Sequence, residues 1–89
     1  HMWFSVRSSR NFRGGSGSYI IKHATSTNAI DWVRTNKFGL YPNKKICENM
    51  CSYPSVFIEN ETLHMFYNSY NFGEDGISHA TMALKCLEE

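Results

Sequence analysis

The sequence is short of the features that mark a membrane protein or a nucleic-acid-binding protein. No stretch approaches the roughly 20 apolar residues of a membrane-spanning helix, and no segment carries the long apolar period of an amphipathic helix. Nine Lys and Arg residues nearly balance eight Asp and Glu residues, so the net charge is +1 and no basic run stands out. We therefore predict no membrane partner and no nucleic-acid partner.

Cysteine is scarce as well. The three cysteines leave at least one thiol unpaired, which favours a reducing compartment or a fragment over a disulfide-stapled secreted domain. Localisation is otherwise unknown, and the cysteine count favours the cytoplasm only weakly. Cys47 and Cys51 have a spacing that suits two ligands on a helix, but a structural zinc site needs four converging ligands. Cys86, His23, His64 and His79 are the further thiol and imidazole groups considered as ligands. We predict no metal site and no cofactor.

Aromatic and β-branched residues are plentiful and fall into short runs. The 89 residues are 42% hydrophobic and 15% aromatic, enough for one small packed domain. Clusters of Gly, Ser, Asn and Asp separate the runs, which is typical of an all-β chain. The predicted strands are Trp3–Ser8, Ser18–Thr25, Ile30–Thr35, Ser55–Glu59, Leu63–Ser69 and Gly76–Met82. We expect Phe57, Phe66 and Tyr67 to pack in the core.

Two pairs of segments repeat in the same order. Residues 9–12 (SRNF) resemble residues 69–72 (SYNF), and residues 21–25 (IKHAT) resemble residues 77–81 (ISHAT). A Gly-rich turn separates the two blocks in each copy, and the later turn is the shorter. Two copies of strand, turn and strand indicate a repeat architecture whose units stack to bury a shared core.

Several motifs resemble those of five-bladed β-propeller glycosidases. Residues 24–34 (ATSTNAIDWVR) resemble the pattern A-x-S-x-D-G-x-x-W-x-R, which joins the third and outermost strands of a blade in that family. Residues 53–60 and 63–68 resemble the opening of the next blade, and residues 76–80 resemble a third strand. Asn28-Ala29 replaces the family's Asp-Gly, and because Ala resists positive φ we expect a different turn geometry there.

The resemblance, to glycoside hydrolase families 43 and 32 and uncharacterised relatives, implies a fragment from the C-terminal blades. Its fold would be all-β, two partial four-stranded blades of a five-bladed β-propeller. The first unit would supply blade strands two to four, and the second would supply strands one to three. Because the missing strands leave open edges, we expect self-association or strand swapping. The expected divisions are 1–2 (a cloning scar), 3–35 (first blade), 36–53 (inter-blade loop) and 54–89 (second blade and tail).

The family likeness implies hydrolysis of a glycosidic bond in the intact parent, with a saccharide as partner. Such hydrolysis needs two carboxylates. Glu48 is the one catalytic candidate, although a loop glutamate in solvent is the alternative reading, and the fragment alone is expected to be inactive. The candidate substrate-binding residues are Tyr53, Asn71, Arg7, Arg13 and Tyr19. A non-catalytic propeller that binds a saccharide or a protein, and a small self-standing β protein, remain open alternatives.

Overall fold

The chain is all-β over the residues that a computed structural model describes, which are 1–7, 19–41, 50–69 and 76–88. The strands are β1 (Met2–Val6), β2 (Ile20–Thr25), β3 (Val33–Arg34), β4 (Cys51–Glu59), β5 (Thr62–Ser69) and β6 (Ile77–Ala83). A single 3₁₀ turn, Leu84–Glu88, follows β6. All six predicted strands are confirmed, with ends that shift by up to four residues. Within the described ranges no helix is long and apolar enough to cross a membrane.

The strands form two three-stranded antiparallel sheets. The N-sheet has the order β1-β2-β3, and the C-sheet has the order β4-β5-β6. Each is a meander in which neighbours in sequence are neighbours in space. Neither sheet closes on itself among the described strands, so the expectation of propeller blades goes beyond the observed architecture.

β4 is longer than predicted and contains a bulge. It begins at Cys51, inside the segment expected to be an inter-blade loop, and its pairing with β5 shifts register between Ser52 and Ser55. Pro54 therefore lies in the bulge rather than at the first position of the strand. Because Pro has no N–H, it is tolerated at a bulge, where the ladder is already interrupted.

β3 is shorter than predicted because the preceding residues are held in a polar turn. The Ser26 hydroxyl accepts hydrogen bonds from the amides of Asn28 and Ala29 at 3.1 and 2.9 Å. The Asn28 side-chain oxygen accepts from the amides of Ile30 and Asp31, both at 2.9 Å. Ala29 adopts φ 62°. The expectation that Ala would avoid positive φ was therefore wrong, because these side-chain bonds hold the backbone in that conformation.

The segment after β3 returns to β2 and extends the N-sheet. The amide of Ile21 donates to the Leu40 carbonyl, and the Leu40 amide donates to the Ile21 carbonyl, each at 2.9 Å. Gly39 makes this approach possible, since a Cβ there would lie 2.5 Å from the Ile21 carbonyl oxygen. The second edge of β2 is thus covered by its own chain.

The core lies between the two sheets. Ile21 on the N-sheet and Cys51, Met65 and Tyr67 on the C-sheet are its buried centre. Trp3, Leu40, Val56 and Ala80 pack around it. The side of the N-sheet that faces this core is called its front, and the core-facing side of the C-sheet is called its back.

Two of the three aromatic residues expected in the core lie elsewhere. Tyr67 is buried, but Phe57 and Phe66 are each 40% exposed. They pair with β5 and β6 positions on the front of the C-sheet, opposite to the core. Their prediction as core residues was wrong because the alternation of the strand places them on the face that no other sheet covers.

The cysteines are not equivalent. Cys51 is disulfide-bonded, which the cysteine count alone does not predict. Cys86 is a free thiol in the 3₁₀ turn.

Candidate functional site

Three of the six predicted site residues come together. Arg7 follows β1, Tyr19 precedes β2 and Tyr53 lies in the bulge of β4. Tyr19 and Tyr53 lie side by side where the N-sheet and the C-sheet join, and the charge of Arg7 acts on Tyr53; we call the three the Arg7–Tyr19–Tyr53 cluster. The other three candidates, Glu48, Asn71 and Arg13, lie outside the described residues.

The bulge turns Tyr53 toward solvent. Its backbone has φ 55°, a left-handed conformation that is unusual for a bulky residue. Its amide is released from the sheet ladder and donates instead to the Ser5 hydroxyl at 2.8 Å. This bond ties β4 to β1 and leaves the Tyr53 side chain 54% exposed. Ser5 is the residue of this arrangement that sequence reasoning missed, since nothing in a short polar side chain on a strand indicates such a bond.

Tyr19 is placed by a second bond between the sheets. The Cys51 amide donates to the Tyr19 carbonyl at 3.0 Å. The rings of Tyr19 and Tyr53 then lie 5.8 Å apart between centroids, with their planes tilted by 43°. Both tyrosines are therefore positioned by backbone hydrogen bonds rather than by flexible side-chain contacts.

The cluster carries a polarised pair of hydroxyls. A hydrogen bond to Tyr19 is the main cause that raises the pKa of Tyr53 above its ordinary value of 10.0, with burial a smaller cause. The positive charge of Arg7 acts in the opposite direction. A bond that raises the pKa of a phenol favours its neutral form. The Tyr53 phenol is therefore favoured in its neutral form beside the positive charge of Arg7.

This arrangement suits a neutral polar ligand better than a reaction. Two phenol rings offer apolar faces with hydrogen-bonding hydroxyls, and a guanidinium offers five donors in a fixed plane. Hydrolysis of a glycosidic bond would need two carboxylates in addition. The side-chain N–H of Asn28 donates a hydrogen bond to the Asp31 carboxylate at 3.0 Å, so Asp31 is part of the turn before β3.

An apolar cleft lies between the sheets. Its volume is about 220 Å³, and its largest lining side chains are Trp3, Phe38, Leu40, Leu63, Met65 and Met82. The Trp3 indole N–H is already bonded to the Phe38 carbonyl at 2.9 Å. The cleft therefore offers few free polar groups, and it does not suit a sugar.

The front of the C-sheet carries an array of rings. Phe57 and His64 have centroids 4.7 Å apart, and Phe66 and His79 have centroids 4.8 Å apart. His64 Nδ1 and His79 Nε2 share a hydrogen bond of 2.9 Å. The alternation of the strands could have revealed this face, because all four residues share one side of the register.

Within the described part of the chain, no three His, Cys, Asp or Glu side chains converge as a metal site. No protein-family model, no curated protein and no solved structure matches this chain.

Proposed function

We propose that this chain is part of a carbohydrate-active β-propeller of the glycosidase type, and that the Arg7–Tyr19–Tyr53 cluster binds a saccharide. The observation that carries the proposal is the convergence of these three residues from three separate segments at one partly exposed seam. In this proposal hydrolysis belongs to the intact parent protein, whose catalytic carboxylates lie largely outside these residues. The described residues contribute binding.

The turn before β3 supports the propeller part of the proposal. In the family pattern Asp-Gly occupies the positions of Asn28-Ala29. Here the Asn28 oxygen accepts two backbone bonds as an Asp carboxylate would, and Ala29 has the positive φ that a Gly would favour. Asn28 and Ala29 therefore differ from the Asp-Gly of the pattern but adopt the turn geometry that Asp-Gly would favour.

The stacking of the two sheets also supports it. The front of the N-sheet is covered by the back of the C-sheet, so the two units lie front to back. Both are antiparallel meanders, which is the arrangement expected of neighbouring blades.

Saccharide titrations of the isotope-labelled chain, followed by NMR, test the binding part of the proposal. We expect a subset of neutral oligosaccharides to shift the signals of Arg7, Tyr19 and Tyr53. Tyr53→Phe, which removes one hydroxyl, should weaken binding about fivefold, and Tyr53→Ala should weaken it by about tenfold or more. Tyr41→Ala is the matched control, because Tyr41 is an exposed tyrosine whose hydroxyl accepts a hydrogen bond from Lys22. Equal losses in the Tyr53→Ala and Tyr41→Ala proteins, or no saccharide response at all, would contradict the proposal.

A further inference from the structure

The two repeat copies place the same residues on the same face of their sheets but in different surroundings. In the N-sheet, Ile21 and His23 lie on the front and are both buried, and Ile21 is part of the core between the two sheets. In the C-sheet, the equivalent Ile77 and His79 lie on the front, and Ile77 is 74% exposed. The front of the second unit therefore lacks the cover that the front of the first unit has.

The exposed front is suited to burial. Its rings already contact one another, and the polar nitrogens of His64 and His79 that face each other satisfy one another at 2.9 Å. Covering the face would bury the exposed apolar side chains of Phe57, Phe66 and Ile77. Glu59 is its one Asp, Glu, Lys or Arg residue by strand register.

Among the described strands, no sheet packs on the back of the N-sheet, so that face of a second copy is the candidate partner surface. The back of the C-sheet is already occupied by the N-sheet of the same molecule, so it is not available. By register the back of the N-sheet carries Phe4, Lys22 and Arg34. Arg34 Cζ lies 5.3 Å from the centre of the Phe4 ring, and Lys22 Nζ lies 5.2 Å from the centre of the Tyr41 ring. This face is positive and aromatic.

We propose that the front of the C-sheet binds the back of the N-sheet of a second copy of this chain, head to tail. The charges are complementary, since Glu59 would meet Lys22 and Arg34. The two cations would also meet the aromatic array, which attracts them. The contact repeats the front-to-back order that exists within one molecule. Because its two surfaces differ, it propagates beyond a dimer or closes into a ring. It shares no residue with the Arg7–Tyr19–Tyr53 cluster, so it stands or fails independently of saccharide binding.

Sedimentation velocity over a range of chain concentrations tests this contact. We expect the weight-average mass to rise past that of a dimer as concentration increases. Phe66→Lys places a cation opposite Lys22 and Arg34, and it should weaken association at least about tenfold. Ile58→Lys is the matched control, since Ile58 is an exposed β4 residue on the other face of the same sheet, and it should associate as the wild type does.

A mixing experiment distinguishes a head-to-tail contact from a symmetric one. One protein carries Phe66→Lys, so its front is blocked. The other carries Lys22→Glu and Arg34→Glu, so its back is blocked. Each alone should be monomeric, and the mixture should form a 1:1 complex through the intact front of one and the intact back of the other.

Three results would overturn the proposal. A wild-type chain that stays monomeric throughout has no such contact. Association that stops at a dimer and survives the substitutions at Lys22 and Arg34 indicates a front-to-front contact. Association that survives Phe66→Lys belongs to the open strand edges, the other route to self-association that the missing blade strands suggest.

Discussion

The N-sheet and the C-sheet contain nearly the same five-residue motif, but its isoleucine is buried in the N-sheet and exposed in the C-sheet. Residues 21–25 (IKHAT) lie on β2, and residues 77–81 (ISHAT) lie on β6. Ile21 is 0% exposed and Ile77 is 74% exposed. Each histidine sits directly across from an aromatic residue, Trp3 for His23 and Phe66 for His79. The motif therefore specifies a strand and a face, and the presence of a neighbouring sheet decides whether that face is core or surface.

The sheets also differ in how they close their edges. The N-sheet has strands of five, six and two residues. The part of β2 that the short β3 leaves unpaired is bridged at Ile21 by Leu40. The C-sheet has strands of nine, eight and seven residues. Ile21 of the smaller N-sheet is buried against Cys51, Met65 and Tyr67 of the larger C-sheet. We therefore expect the two sheets to unfold together.

The largest expected effect comes from removing Ile21. Ile21→Ala should lower the free energy of unfolding by about 2–5 kcal/mol, because it leaves a cavity at the centre of the inter-sheet core. Ile77→Ala should change it by no more than about 0.5 kcal/mol, because the side chain is exposed. Urea denaturation followed by tryptophan fluorescence measures both. Similar losses in the two variants would mean that Ile77 is also buried in solution, as it would be in the head-to-tail contact, and dilution would then restore the difference.

Gly39→Ala tests the edge that only the N-sheet closes. The new Cβ would lie 2.5 Å from the Ile21 carbonyl oxygen, which is backbone and cannot move aside cheaply. We expect a loss of about 1–3 kcal/mol and faster hydrogen exchange at the Ile21 and Leu40 amides. Gly76→Ala is the matched control. Gly76 has φ +106° with no atom within 4 Å of a Cβ, so its cost is backbone strain and exchange at the bridge should be unchanged. Unchanged exchange in the Gly39→Ala protein would contradict the bridge.

His23 should make the stability of the fold depend on pH. Burial is the main cause that lowers the pKa of His23 below 6.5, and the positive charge of the N-terminus adds to it. A histidine whose pKa is lowered by folding stabilises the fold above its unfolded pKa. That stability is lost as pH falls from about 6.5 through the lower folded value. Unfolding free energies measured across this range should decline in the wild type.

His23→Gln should flatten the decline, since the buried titrating ring is gone. Ile77→Ala, which removes an exposed side chain that does not titrate, is the control and should keep the wild-type slope. A slope that persists in the His23→Gln protein would show that another group is responsible.

Local patterns in the sequence predicted the strands but not their burial. Alternation and turn residues located β5 and β6 to within one residue, because period and turn chemistry are local properties. The exposure of Phe57 and Phe66 depends on which sheet face finds a neighbour, and no local pattern carries that information. The same limit applies to the candidate site. The family resemblance placed Tyr53 among the candidate substrate-binding residues, but its bond to Ser5, 48 positions away, follows only from the packing of the sheets.

The smallest expected effects lie in the turns, where each sheet holds a non-glycine residue at positive φ. In the N-sheet Ala29 has φ 62°, and in the C-sheet the turn between β4 and β5 has Asn60 at 52° and Glu61 at 60°. Positive φ at both central residues is the type I′ hairpin turn, which favours Asn-Gly. Left-handed backbone costs a residue with a Cβ about 1–2 kcal/mol, and Gly gives back about 0.5–1 kcal/mol of that through its freer unfolded state.

Ala29→Gly and Glu61→Gly should therefore each raise the free energy of unfolding by about 0.5–1 kcal/mol. Thr27→Gly is the control, because Thr27 lies in the same turn as Ala29 without positive φ and should lose stability instead. Thermal unfolding of the three variants and the wild type measures the differences. A gain for Glu61→Gly without one for Ala29→Gly would mean that the Ser26 and Asn28 hydrogen bonds do not hold Ala29 left-handed in solution. The likeness of that turn to the Asp-Gly turn of propeller blades would then be lost with it.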